Sequence, residues 1–211
     1  NRMRKGSESS MQVGKTQRVL ALDIARATGI LMICTNHFVN VYNTPYPSAS
    51  PNTLIVQIIN AICRVATPTF FLVSGILLGY LCKSKIVDFT RVRLHLFNRA
   101  IFLATIGHVM IAIAWAPGSG FFNALSIGFV TDTVAFCIIG SLLLLPYLKG
   151  PTTRIWVGAI LYLTGWAGWS LWHPDNPLLI TARGILLGPD ENGYSIFYDP
   201  LLPWFGVYLI G

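Results

Sequence analysis

The sequence predicts an all-α fold: a polytopic transmembrane helical bundle of about five spans plus the start of a sixth, with its N-terminus in the cytoplasm. Three observations predict it. The chain is 54% hydrophobic and only 11% charged, with a mean hydropathy of +0.60, whereas soluble domains carry about 25% charged residues. Its apolar residues come in continuous runs near the ~20 residues that cross a hydrocarbon layer. The runs do not alternate as barrel strands do, and helices are the remaining way to satisfy a backbone in lipid. Finally, the charge of the connections alternates along the whole chain.

The first span is read over 19–42, the second over 54–82, the third over 94–115, the fourth over 124–148 and the fifth over 154–172, and 201–211 opens a sixth. Residues 1–18 form a basic N-terminal segment with Arg2, Arg4, Lys5, Lys15 and Arg18, and 19–211 a single transmembrane domain. Lys83, Lys85, Arg91 and Arg93 separate the second span from the third, and Lys149 and Arg154 the fourth from the fifth. The 43–53 and 116–123 loops hold no Lys or Arg, and the 173–200 segment sets Arg183 against Asp175, Asp190, Glu191 and Asp199. Positive-inside reasoning puts the basic connections in the cytoplasm and the other three outside.

Residues 1–17 are polar and the first apolar run reaches spanning length, so no cleavable signal is expected. The stop at Gly211, inside an apolar run, reads as a domain incomplete at its C-terminus. The +7 formal charge is spread in short clusters between apolar runs, which excludes a nucleic-acid surface as its purpose. Cys34, Cys63, Cys82 and Cys137 show no CxxC spacing and no nearby His, so neither a disulfide framework nor a metal site is expected. Gly158, Gly165 and Gly168 on the fifth span, and Ser74, Gly75 and Gly79 on the second, read as close-packing positions between helices. No internal repeat of the transporter kind is present.

Ionisable side chains at membrane depth are expensive, so each invites a functional reading. The first span holds Asp23, Arg26, Asn36 and His37. Arg26 and His37 are eleven residues apart, which at ~100° each leaves them ~20° from a common face and ~16 Å apart along the axis. A helix lining a polar tunnel has this pattern; an Asp23–Arg26 interfacial pair with His37 bonded to a neighbouring helix is the structural alternative. Arg64 lies ~15 Å into the second span by helical rise, too deep to snorkel, and reads as a cavity or site residue.

Arg91, Arg93, His95 and Arg99 open the third span, with His108 deeper in. Arg91 and Arg93 read as solvated positive-inside residues, and Arg99 as a candidate for a phosphate-bearing ligand. His108 reads equally as a packing residue. Asp132 opens the fourth span, either as a partner of Arg64 or His37 or as a solvated helix-start acid. Tyr194, Phe197, Tyr198 and Trp204 suit either sugar stacking or an interfacial aromatic belt.

The spacing from Arg26 to His37 matches an R-X10-H motif, and LDIARATGILMICTNH resembles the first-helix signature of the membrane acyltransferase type 3 family. TPTFFLVSGILLGY is similar to that family's FF-x-x-SG segment. FYDPLLPWFGVYLIG resembles a late stretch of the related heparan-glucosaminide N-acetyltransferase-like branch. Two departures stand out: Arg91, Arg93 and Arg99 are not at the family's R-x-x-R spacing, and Ala27 replaces a glycine.

The resemblance implies a multi-pass enzyme of a bacterial inner (plasma) membrane. Its donor would be cytoplasmic acetyl-CoA or another acyl-CoA, without a metal, and its acceptor a glycan or other hydroxylated envelope compound. Expected partners are therefore the lipid bilayer, the acyl-CoA and the carbohydrate, with no nucleic acid. The expected activity is acyl transfer, foremost O-acetylation. It implies His37 and Arg26 as the catalytic pair; Arg64, Arg99, Asp132 and Asn36, costly or polar residues by their own positions, are the candidates for binding substrate or donor. His37 would serve as general base or as a transient acyl carrier, and the residues leave both open. A transporter passing a small anion or proton along the same polar face is the rival reading.

Overall fold

The computed structural model describes residues 20–42, 54–83, 89–148, 150–188 and 199–211, and among them all repetitive structure is helical. The elements are α1 (Leu20–Tyr42), α2 (Leu54–Cys63), α3 (Ala66–Lys83), α4 (Phe89–Phe102), a π-helical segment (Leu103–Gly107), α5 (His108–Ser119), α6 (Phe121–Leu125), α7 (Val130–Leu144), α8 (Pro151–Leu171), α9 (Pro177–Leu187) and α10 (Leu201–Ile210). Two helical stretches, Val56–Cys82 and Val92–Gly118, are long and apolar enough to cross a membrane. Among the rest, α1 and α8 have 23 and 21 residues, whereas α7 has 15 and α10 has 10.

The second apolar run is expected as one helix but is broken at Arg64 and Val65. Pro68 is the cause. It has no N–H to give the Arg64 carbonyl four residues back, and its ring crowds that oxygen. The ladder resumes with the Thr69 N–H donating to Val65 O at 3.1 Å. The third run continues through the π segment, whose wider turn inserts a residue and rotates everything after it.

The fourth run is also two pieces, α6 and α7, parted at Ser126–Phe129. An eleven-residue helix, α9, occupies the segment read as an outer loop, started by the Asn176 side chain accepting from the Leu178 N–H at 2.9 Å with Pro177 in the first turn.

Helix α10 is the hub: it packs on α3, α7, α8 and α9. Small residues make this approach feasible. A Cβ on Gly75 would run into the Tyr208 carbonyl, and Cβ atoms on Gly158 and Gly206 would each lie 2.6 Å from the other's backbone oxygen. At Gly165 the obstacle is Pro203, 2.8 Å away. The close-packing expectation thus holds at Gly75, Gly158 and Gly165, and Gly168 sits against Leu187; Gly79 meets only ordinary contacts.

The main core joins α3, α4, α7 and α10 through Phe71, Leu78, Ala100, Val134, Ile138 and Tyr208. Outward apolar side chains such as Phe102, Ile106, Met110 and Ile113 line one side of the third run. The four cysteines are free thiols.

Candidate functional site

Arg26 on α1 and Arg99 on α4, far apart in the sequence, line one cavity. It measures about 50 Å³ and is walled by α1, α3, α4, α7 and α10, with Ser74 and Tyr208 as its other polar side chains. Arg26 Nε is buried there and finds no hydrogen-bond partner among the described residues. A guanidinium with an idle buried donor is a receptor for an acceptor-rich anion, because leaving it unmade costs more than a typical hydrogen bond returns.

At the other end of the Arg26 to His37 stretch, His37 is exposed. The Asp199 carboxylate lies within electrostatic reach of it. Asp199 belongs to the short approach to α10, and its carbonyl accepts from the fully buried Thr133 hydroxyl of α7 at 2.8 Å. Burial pushes the Asp199 carboxyl above the usual carboxylate range, and the His37 charge pulls it part of the way back. Sequence reasoning counted Asp199 only as a loop acid; no spacing relates positions 37 and 199.

Asp132 is placed differently from either expectation. It is not solvated, and its ion-pair partner is His108. It is buried, with one carboxylate oxygen 2.8 Å from His108 Nδ1 and accepting the Phe129 N–H at 2.7 Å. His108 Nε2 is 3.1 Å from the Leu125 carbonyl. A carbonyl only accepts, so Nε2 carries a proton, and Nδ1 is taken up by the carboxylate. With both ring nitrogens engaged, His108 has no lone pair to offer a substrate. It ties α5 to the start of α7 and leaves His37 as the reachable imidazole of the two.

Arg64 is exposed in the turn between α2 and α3, within the long apolar stretch Val56–Cys82. Asn36 is half-buried on α1 beside His37. Arg93, His95 and Arg99 are exposed on α4. Arg183, read only as a loop charge, is buried and donates through Nε to Trp172 O at 2.6 Å and through Nη2 to Trp169 O at 2.9 Å, closing the C-terminal end of α8. The basic residues of 1–18, the 43–53 loop, Lys85, Asp190, Glu191, Tyr194, Phe197 and Tyr198 lie outside the described residues, as does the Arg91 side chain.

Among the described residues no group of three His, Cys, Asp or Glu side chains could hold a metal ion. The family model described as heparan-alpha-glucosaminide N-acetyltransferase, catalytic, matches residues 18–211. No curated protein and no solved structure matches the chain.

Proposed function

Because the chain belongs to the heparan-alpha-glucosaminide N-acetyltransferase catalytic family, we propose that it is a multi-pass membrane acetyltransferase. It takes acetyl from cytoplasmic acetyl-CoA and passes it to an amino or hydroxyl group of a sugar-containing acceptor. The family's description brings the amine forward beside the hydroxyl expected from sequence. Kinship with the wider acyltransferase type 3 family, the five-span topology and an inner-membrane location are parts of the same reading. The carrying observation is the pairing of two unlike polar ends on one helix: Arg26 with Arg99 at one, His37 with Asp199 at the other.

The two arginines would hold phosphate oxygens of the donor at the cytoplasmic end, where planar guanidinium forks suit them. The donor's pantetheine arm would then carry the thioester along the α1 face toward His37. His37 takes a proton from the acceptor as its oxygen or nitrogen bonds to the thioester carbonyl carbon. The C–S bond breaks, and the proton passes from the imidazolium to the departing thiolate, giving free CoA and the acetylated acceptor. Asp199, the acid within electrostatic reach, faces the positive charge that exists between those two transfers. Asn36, the residue before His37 on α1, is the candidate donor to the developing oxyanion; the exposed Arg64 remains a candidate for a substrate contact, as does Asp132 if it leaves His108.

The reading is tested in membranes with acetyl-labelled CoA and two acceptors, glucosamine and a sugar without an amine. Label transferred to either, dependent on the expressed chain, supports it. Uptake of free acetate or a proton flux without transfer would instead favour the transporter.

A further inference from the structure

A second and larger cavity adjoins the approach to α10 that carries Asp199. It holds about 540 Å³ between α3, α8, α9 and α10, and its walls include Tyr162, Trp166, Trp169, Pro203 and Trp204. That volume is in the range of small-molecule sites. No charged or carboxamide side chain lines it, so most hydroxyls of a sugar would lose hydration there without replacement. Along α8 it extends from Tyr162 to Trp169, ~10 Å of helical rise.

Its edge is continuous with outward-facing Leu163 and Trp166, the face α8 turns to its surroundings. One wall residue has an unmet need: Trp204, stacked on Phe71 at 5.2 Å, has its Nε1 buried without an acceptor among the described residues. Pro200 of the cavity wall directly follows Asp199.

We propose that this cavity holds the apolar chain of a bilayer-resident lipid alcohol or amine, whose head is the acetyl acceptor presented to His37 and Asp199. Aromatic and proline walls receive the chain, and the Trp204 N–H meets the first oxygen beyond it. The identity of the head as acceptor rests on the acetyltransferase reading; occupancy of the cavity by a lipid chain does not.

The full chain, in phospholipid nanodiscs, is irradiated with a polyprenol carrying a diazirine on its chain, and adducts are mapped by mass spectrometry. Adducts are expected at Trp166, Trp169 and Val207, suppressed by unlabelled polyprenol about tenfold more strongly than by the corresponding hydrocarbon, one hydrogen bond's discrimination. Trp204→Phe keeps the stacking and should abolish that preference. Adducts no denser than at Met110 and Ile113, or unaffected by polyprenol, would mean annular lipid and overturn the proposal. So would competition by soluble glucosamine in place of polyprenol. Acetyl transfer to a water-soluble acceptor in a chain whose cavity takes no lipid would sink this inference alone and leave the acetyltransferase reading standing.

Discussion

The Asp199 carboxylate lies within electrostatic reach of the His37 imidazole, although 161 positions separate them in the sequence. Nine residues further along, Tyr208 shares a cavity with Arg26 and Arg99. The two stretches therefore run opposite ways: ~16 Å from Arg26 to His37 on α1, ~13 Å from Tyr208 back to Asp199 if helical throughout. The polar face of α1 is matched end to end by α10 and its approach.

Asp199→Asn should lower acetyl transfer by about tenfold to a hundredfold at neutral pH, the lower range for losing support of a general base. Stability should move the other way. The carboxyl is raised on folding, so its stabilising contribution is complete below the unfolded value of about 3.9 and is lost as pH rises through the folded value. Thermal unfolding of the detergent-solubilised pair from pH 4 to 7 should show Asn gaining on wild type as pH rises. A difference that stays constant, or moves in favour of wild type as pH rises, would contradict the assignment.

Gly75→Ala and Gly79→Ala lie one helical turn apart and should behave oppositely. The first drives a methyl into the Tyr208 carbonyl and should cost about 1–3 kcal/mol. The second meets nothing nearer than Arg154 Nη1 at 3.7 Å and should be neutral or gain up to about 1 kcal/mol in helix propensity. Equal melting temperatures for both would contradict the packing of α3 on α10.

Arg183→Ala should uncover the Trp169 and Trp172 carbonyls and cost about 1–3 kcal/mol, with Arg183→Lys recovering part of it because an ammonium reaches one carbonyl where the guanidinium spans two. The check is thermal unfolding together with the fluorescence of the adjoining tryptophans.

His108→Ala and Asp132→Asn should each destabilise the protein, and the double variant should cost less than the sum by about 0.5–3 kcal/mol, since the two share one contact. Acetyl transfer per folded molecule should survive in all three. Loss of turnover in well-folded His108→Ala would show that the wrong histidine has been given the chemistry.

What the sequence made legible follows from the reach of local rules. The helices of α1 and α8 were found within a few residues because their apolar runs are unbroken. Pro68 announced its own break four residues upstream, but the strong hydropathy around it masked the signal. The Asn176-Pro177 pair is a helix start that marks α9, hidden by the polar residues near it. The π segment at Leu103–Gly107 carries no local mark. Within the site, Arg26 and His37 were legible because one helix relates them by angle. Arg99 shares a cavity with Arg26, and Asp199 comes within reach of His37, only through the packing of α1, α4 and α10 against α3 and α7. Asp132 was visible as a helix-start acid, but its burial against His108 depends on where the π segment turns that ring.

The most direct test compares wild type with His37→Ala for transfer from labelled acetyl-CoA in membranes, at matched abundance and with matched melting temperature. His37→Ala should drop transfer by at least about a hundredfold, the contribution of a positioned general base. Near-normal transfer by His37→Ala would contradict it.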